Sequence, residues 1–310
     1  MTGFSLKANE DRPVFGIALM LAAYLLFSFI DTSSKWLAVL GLPALQLSFM
    51  RYFGHFAISM ALVGSTGFDP KSVMCDRLFL VIVRGALLTV STVLNFFAIR
   101  YLPLSLTATI LFSAPIIICV LSWPLLREPV GIFRWLAIML GFVGIVVAIR
   151  PFDESFHWAV LLSLTGATSF ALYSILTRKL AGEVSADTMQ FWSGFVGTAS
   201  LLPFAIIEWQ NPTGWFQWSI LFALGFFGWA GHQMMTNAMQ FAPANLLMPF
   251  GYSFILYLTV WSYFVFGEVP DQWTITGAAI IILAGLIIWF RERKLFQQRL
   301  QVVPGEGAGG

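Results

Sequence analysis

Apolar runs the length of a membrane span follow one another along nearly the whole chain, at 14–39, 44–63, 79–100, 104–126, 133–149, 157–177, 187–207, 215–238, 243–266 and 273–290. A spanning helix needs about 20 predominantly apolar residues. Ten of them take about 200 of the 310 positions, and no connection is long enough to house a soluble domain. Several linkers are minimal, such as Gly41-Leu42-Pro43 and Tyr101-Leu102-Pro103, so successive helices must run antiparallel. β-Barrel strands would alternate over about ten residues, and these runs are too long and too uniformly apolar for that. Composition agrees: 58% of residues are hydrophobic and 10% charged, with a mean hydropathy of +0.83. An ordinary soluble domain is about a quarter charged. Soluble enzymes, nucleic-acid binders and disordered scaffolds are thereby excluded, and a net charge of +2 gives no global field toward nucleic acid. The expected fold class is an all-α membrane protein of ten transmembrane helices.

The scarce cations orient these spans. With the N-terminus in the cytoplasm, the inner segments hold twelve: Lys7, Arg12, Lys71, Arg77, Arg127, Arg134, Arg178, Lys179, Arg291, Arg293, Lys294 and Arg299. The outer ends hold three, Lys35, Arg100 and Arg150, while Arg51 and Arg84 lie within spans. Both termini are therefore expected in the cytoplasm, as an even number of spans requires. The polar segment carrying Lys7, Glu10, Asp11 and Arg12 precedes a first run too long for a signal peptide, so that run reads as a retained span. Trp36, Trp209, Trp215, Trp218, Trp273 and Trp289 fall near span ends, as interface anchors do. Cys75 and Cys119 form no CxxC and read as ordinary thiols.

The chain also matches itself at an offset of 140 residues: Gly85 meets Gly225, Ala98 meets Ala238, Pro103 meets Pro243, Leu106 meets Leu246, Ser113 meets Ser253, Val120 meets Val260, Ser122 meets Ser262 and Glu128 meets Glu268. At an offset of 143, Phe27, Leu37 and Ala38 meet Phe170, Leu180 and Ala181. Small shifts carry Trp135 onto Trp273 and Gly144 onto Gly285. Two repeats, 14–150 and 157–291, each hold five spans, with cytoplasmic tails at 1–13 and 292–310. An odd number of spans per repeat inverts one half relative to the other, the architecture of alternating access. It places Glu128 inside and Glu268 outside.

Several motifs carry a family resemblance. Arg84-Gly85, Ala98-Ile99-Arg100-Tyr101-Leu102-Pro103, Phe112-Ser113-Ala114-Pro115, Leu126-Arg127-Glu128-Pro129-Val130 and Gly141-Phe142-Val143-Gly144 resemble an EamA-type drug/metabolite transporter repeat. The segments Ala238 to Pro243, Glu268 to Pro270 and Gly277 to Leu286 are similar with more drift. The resemblance implies a ten-helix permease with a central cavity lined largely by helices 1, 3, 4, 6, 8 and 9, for amino acids, riboflavin, S-adenosylmethionine, nucleotide sugars and other small metabolites in either direction. The pattern Asp31…Lys35…Arg51…Arg84-Gly85 is most similar to the S-adenosylmethionine and riboflavin permease branch, with amino-acid exporters also similar. The second-half counterparts of Arg51 and Arg84 are Ser193 and Leu224, so any charged site is asymmetric.

Charges inside a bilayer cost about 2.5–3.5 kcal/mol each on insertion scales, so each needs a reason. Asp31 and Lys35 share a face of helix 1 and can pair. Asp31 lies about 26 Å up from the inner end, and Arg51 enters helix 2 from outside by about 10 Å, at similar height. The three form either a structural ion pair with a snorkelling cation, or a gate or site for a substrate carboxylate or amine. Arg84, near the inner end of helix 3 and close enough to snorkel, reads as a structural or topogenic residue, with a gate or ion pair as the alternative. Asn95, His55, His232 and Asn237 are the uncharged polar candidates; a lone intramembrane His serves helix–helix hydrogen bonding or carries a proton, and His232 is the better placed of the two to titrate in a cavity. Ser113 and Ser253 are repeat-related, beside Pro115, Pro249, Gly251 and Tyr252. These positions serve helix packing or open the backbone to a ligand. If they line the cavity, Ser113, Tyr252, Tyr257 and Tyr173 can hydrogen-bond a substrate while aromatic rings stack on it. Glu128 and Glu268 are expected to cap the helices that follow them, with ion coupling as the alternative.

No HExxH, GxSxG, phosphate-binding loop or His/Cys cluster occurs, so neither an enzyme nor an ATP-driven pump is expected, and no cofactor or metal. The leading reading is a secondary transporter of a small organic metabolite, amphipathic or heteroaromatic, coupled to a proton or a counter-substrate, in a bacterial inner membrane as a monomer or homodimer. An amino-acid or drug exporter of the same fold is the alternative, and a non-transporting membrane scaffold or sensor is the alternative of another class.

Overall fold

The computed structural model describes residues 13–302 except 66–73, 115, 119, 122–131, 151–152, 154–155, 181–182 and 242–246. Pro115, Glu128 and the side chain of Pro249 lie outside the described residues. Within them the chain forms ten α-helices and no strands: α1 Pro13–Val39, α2 Ala44–Ser65, α3 Leu78–Ala98, α4 Leu104–Leu111, α5 Ile132–Ile149, α6 Ala159–Leu180, α7 Ala186–Ile207, α8 Gly214–Phe241, α9 Ser253–Phe266 and α10 Gln272–Val302. Pro103 and Ser185 precede α4 and α7, and the Ser185 hydroxyl accepts from Thr188 N–H at 3.1 Å. Gly267, at φ +67°, ends α9, where a side chain would be strained, and its N–H reaches Tyr263 O at 3.0 Å.

Two expected spans are not continuous helices. After Leu111 the fourth turns at Phe112 and Ser113 and is helical again at 116–118. The ninth opens as a 3-10 turn, Met248–Tyr252, and becomes α-helical only at Ser253. In the 140-residue register Phe112 and Ser113 correspond to Tyr252 and Ser253, so the irregularity falls at the same place in both halves. In each case the sequence has a proline nearby (Pro115, Pro249), a residue with no N–H to donate to a helical ladder. α10 runs beyond the expected 290 to Val302.

Packing alternates between the halves. α1 lies on α8 and α3 on α6; α2 meets α8 and α3 meets α7; α1 meets α9 and α4 meets α6. α2 with α7, α4 with α9 and α5 with α10 also pair, and smaller contacts join α1 to α2 and α3, α2 to α3, and α4 to α5 and α10. Exchanging every helix with the one five places on leaves the pairings between halves unchanged apart from α4 with α10. Two crossings show why glycine is needed. A Cβ on Gly54 would stand 2.8 Å from the Gly225 Cα, and one on Gly85 would stand 3.2 Å from the Ser193 Cα. Repeat-related Gly85 and Gly225 thus occupy equivalent close crossings, α3 on α7 and α8 on α2.

The largest buried cluster draws Ile30, Leu37, Leu47, Phe96, Leu104, Leu221, Leu224 and Leu258 from six helices. Outward-facing Phe79, Ile207, Trp215 and Phe264 are 75%, 80%, 78% and 74% exposed, a belt suited to hydrocarbon rather than water. Val14–Val39, Leu78–Ala98, Ala159–Thr177 and Asp187–Ile207 are by themselves long and apolar enough to cross a membrane. The helices α2 and α8, which carry Arg51, His55, His232 and Asn237, are not among these four.

Candidate functional site

Asp31 and Lys35 do share a face of α1, but they do not pair. The Lys35 ammonium reaches across to Glu268, in the loop between α9 and α10, at 2.5 and 2.7 Å, and donates to Leu102 O at 3.1 Å. Ser262 Oγ donates to the same carboxylate at 2.8 Å, and the Phe266 ring lies 4.8 Å from the ammonium. Lys35 is buried at 4% exposure, and an ammonium there needs acceptors for all three of its donors, which this arrangement provides. Glu268 therefore does not cap α10, as had been expected. Asp271, three residues closer, does so: its Oδ1 accepts from Thr274 N–H at 2.7 Å and its Oδ2 from Arg150 at 2.6 Å. Burial acts to raise the Asp271 carboxyl, but the Thr274 hydrogen bonds and the Arg150 charge outweigh it and hold the group below the ordinary carboxylate value. At the same end of the molecule Gln46 and Gln210 exchange two hydrogen bonds, at 2.8 and 3.0 Å.

Deeper between the helices lies a second polar group. Asp31, 8% exposed, accepts from Asn95 Nδ2 of α3 at 3.1 Å. Arg51 of α2 donates to Thr92 Oγ1 at 2.6 Å, and Thr92 also meets the Tyr52 hydroxyl at 2.8 Å. The Arg51 guanidinium stands 5.6 Å and 5.9 Å from the Tyr52 and Phe96 ring centroids. Asp31, Arg51 and Asn95 are thus brought together, with Thr92 and Tyr52 as members that a search for charges passed over. On the far side of the cluster His232 of α8 lies with its ring 4.9 Å from Phe27 and 6.1 Å from His55.

Arg84 does not snorkel. It is 4% exposed and turns inward, donating to Thr177 Oγ1 (2.7 Å), Met189 O (3.2 Å), Ser193 Oγ (2.8 Å) and Tyr173 Oη (2.8 Å), with its carbon 4.4 Å from the Tyr173 ring centroid. Four neutral acceptors on α6 and α7 replace the water it would otherwise seek. This side chain clamps α3 to the second half. Tyr173 belongs to that clamp, its hydroxyl accepting from Arg84. Ser193, the repeat counterpart of Arg51, is part of it too.

The remaining candidates scatter. Ser113, fully buried, spends its hydroxyl on Ile110 O at 2.6 Å, one turn back on its own helix. Tyr252 packs its ring on Phe112 at 5.2 Å, beside the irregular segments of both halves. The half-buried Ser253 opens α9, and its hydroxyl makes no hydrogen bond among the described residues. Asn237 is half-buried further along α8. Among the described residues no group of His, Cys, Asp and Glu could hold a metal ion.

Ten apolar helices around a buried charge cluster define a polytopic membrane protein whose interior, rather than its surface, carries the polar chemistry. The chain belongs to the EamA-like transporter family, within the drug/metabolite transporters: the family profile matches residues 14–150 and again 157–290. It is 29% identical to the S-adenosylmethionine uptake transporter of Rickettsia felis over 92% of this chain and 95% of that one. It is 27% identical to the riboflavin transporter of Vibrio cholerae, over 92% and 96%, and 23% identical to the pseudopaline exporter of Pseudomonas aeruginosa, over 87% and 94%. A crystal structure at 18% identity superposes with a TM-score of 0.61, covering 90% of this chain and 98% of the other, which shows the shared fold.

Proposed function

We propose that this protein is a secondary transporter that carries a small organic metabolite across the bacterial inner membrane by alternating access, with both termini in the cytoplasm. The observation that carries the reading is the Lys35–Glu268 pair. It joins helix α1 of one half to the α9–α10 loop of the other, above the cluster of buried Asp31 with half-buried Arg51 and Asn95. In the orientation set by the cations, this pair, Gln46–Gln210 and Arg150–Asp271 all lie at the outer end. Such bonds close the outer route while the site below is occupied or awaiting the inner side. The main pairings between halves, unchanged when the halves are exchanged, and the equivalent glycine crossings support inverted repeats that rock about a midplane site. The two irregular helices, at repeat-related positions, are a feature of midplane sites in such folds.

For substrate, the relatives favour an amphipathic molecule with a heteroaromatic part, S-adenosylmethionine first and riboflavin second. Purified protein in liposomes is the test: saturable uptake of labelled S-adenosylmethionine, competed by unlabelled compound, is expected. Uptake no faster than in empty liposomes for S-adenosylmethionine, riboflavin and amino acids alike would reject transport in favour of a scaffold or sensor. Export is a second direction, favoured by the likeness to the pseudopaline exporter, and counterflow from preloaded vesicles reads it.

A further inference from the structure

The two arginines within the membrane are not used alike. Arg84 has four of its five N–H groups engaged by protein acceptors, and a Tyr173 ring against its face. Arg51 makes one hydrogen bond among the described residues, to Thr92. Gly228 of α8 lies against its stem, where an added Cβ would be 3.5 Å from both Cγ and Nε, so the opposite half fixes the side chain by contact without binding its donors. Asp31 shows the same incompleteness with opposite sign. One carboxylate oxygen accepts from Asn95, and the other has no donor among the described residues, although the side chain is more than nine-tenths buried. The Arg51 charge acts on this carboxylate, yet the two make no ion pair within 4 Å among the described residues.

A half-buried cation and a buried anion that approach each other without closing leave N–H donors and a carboxylate oxygen unfilled, which a ligand carrying both charges would satisfy. A carboxylate suits the Arg51 fork, which presents parallel N–H donors. An ammonium suits the unfilled Asp31 oxygen. A zwitterion neutralises both at once, so neither charge is left uncompensated in the low-dielectric interior. The wall beside Asp31 is aromatic: Phe27 and Tyr24 lie one and two turns back on the same face of α1, their rings 6.0 Å apart, and Phe254 is 6.1 Å from Tyr24. We propose that Arg51 and Asp31 are the anchors for an α-amino-acid zwitterion, Arg51 taking the carboxylate and Asp31 the ammonium, with the rest of the ligand on the Tyr24–Phe27 wall. This rests on the transporter reading above and names the chemical class that its site selects.

The test uses the full chain and three probes: S-adenosylmethionine, its decarboxylated form, and 5′-methylthioadenosine, which lacks both charged groups. Binding is read by ligand-induced thermal shift on purified protein, and uptake separately in liposomes. The wild type should bind S-adenosylmethionine about 10- to 100-fold more tightly than the decarboxylated form. Arg51→Gln should remove that ratio while still binding the decarboxylated probe, which also shows that the variant is folded. Arg51→Lys should keep part of the ratio. Asp31→Asn should bind both S-adenosylmethionine and its decarboxylated form more weakly than the wild type, while leaving binding of 5′-methylthioadenosine unchanged. Equal wild-type binding of all three probes, no binding of any, or an Arg51→Gln loss shared equally by all overturns the assignment. Discriminated binding without uptake leaves the anchors standing and rejects transport. Uptake without discrimination does the reverse.

Discussion

Replacing Glu268 by Gln removes the charge that Lys35 faces while keeping the shape of the side chain. Lys35 is 4% exposed, and besides Glu268 its ammonium has only Leu102 O as a hydrogen-bond acceptor among the described residues. A hydrogen bond to a charged group contributes about 1.5–3 kcal/mol net. The Glu268 side chain is 31% exposed, so water screens part of the pair and the loss belongs near the lower end, about 1.5–2 kcal/mol. If the pair exists only while the outer route is closed, the closed-to-open ratio falls by about 10- to 30-fold. Ser34, adjacent to Lys35 and fully buried, is a suitable reporter. In a background with Cys75 and Cys119 replaced by Ser, Ser34→Cys should react with a membrane-impermeant maleimide added from outside in proportion to opening. Glu268→Gln should accelerate labelling by that factor, and the exchange Lys35→Glu with Glu268→Lys should slow it again. An unchanged labelling rate in Glu268→Gln, at unchanged melting temperature, would refute the idea that this pair holds the outer side shut.

Arg84→Met should lower stability in detergent by about 2–4 kcal/mol, because three hydroxyls and a carbonyl on α6 and α7 lose their common donor; a melting temperature within a degree of wild type would contradict the clamp. Gly225→Ala forces α8 off α2, where an added Cβ would sit 2.9 Å from the Gly54 carbonyl carbon, and should cost about 1–3 kcal/mol, measured by thermal unfolding. If His232, beside His55 and Phe27, carries a coupled proton, His232→Ala should abolish the response of uptake to a pH gradient, and an undiminished response excludes it. Asp271→Asn should destabilise at neutral pH. The folded-state value of Asp271 is depressed below the ordinary 3.8, so its contribution is complete above the unfolded-state value and disappears as pH falls through the folded-state value. The wild-type and variant melting curves, compared across pH, should therefore converge in acid and separate at neutral pH.

Ten helices were legible from apolar run length, because a bilayer imposes that length on any chain that crosses it. Gly85 and Gly225, matched in the repeat register, proved to pack against α7 and α2. The set Asp31, Lys35, Arg51 and Arg84 was legible as well, since a charge inside a span is costly enough to be conspicuous. Which charge meets which was not. The four-residue spacing of Asp31 and Lys35 is a local rule, and Glu268, 233 residues from Lys35, prevailed over it. Snorkelling is likewise the default of an isolated helix, and Arg84 departs from it because α6 and α7 offer acceptors that no property of α3 reveals. Ser113 and Tyr173 drew notice by residue type, but that the Ser113 hydroxyl donates to Ile110 O and the Tyr173 hydroxyl accepts from Arg84 was not legible. The sequence by itself determined the solvent, the span count and the residues whose burial needs compensation, since each follows from transfer of single side chains. Only the tertiary structure decided the partners, because compensation of a buried charge depends on distances between helices far apart in the chain.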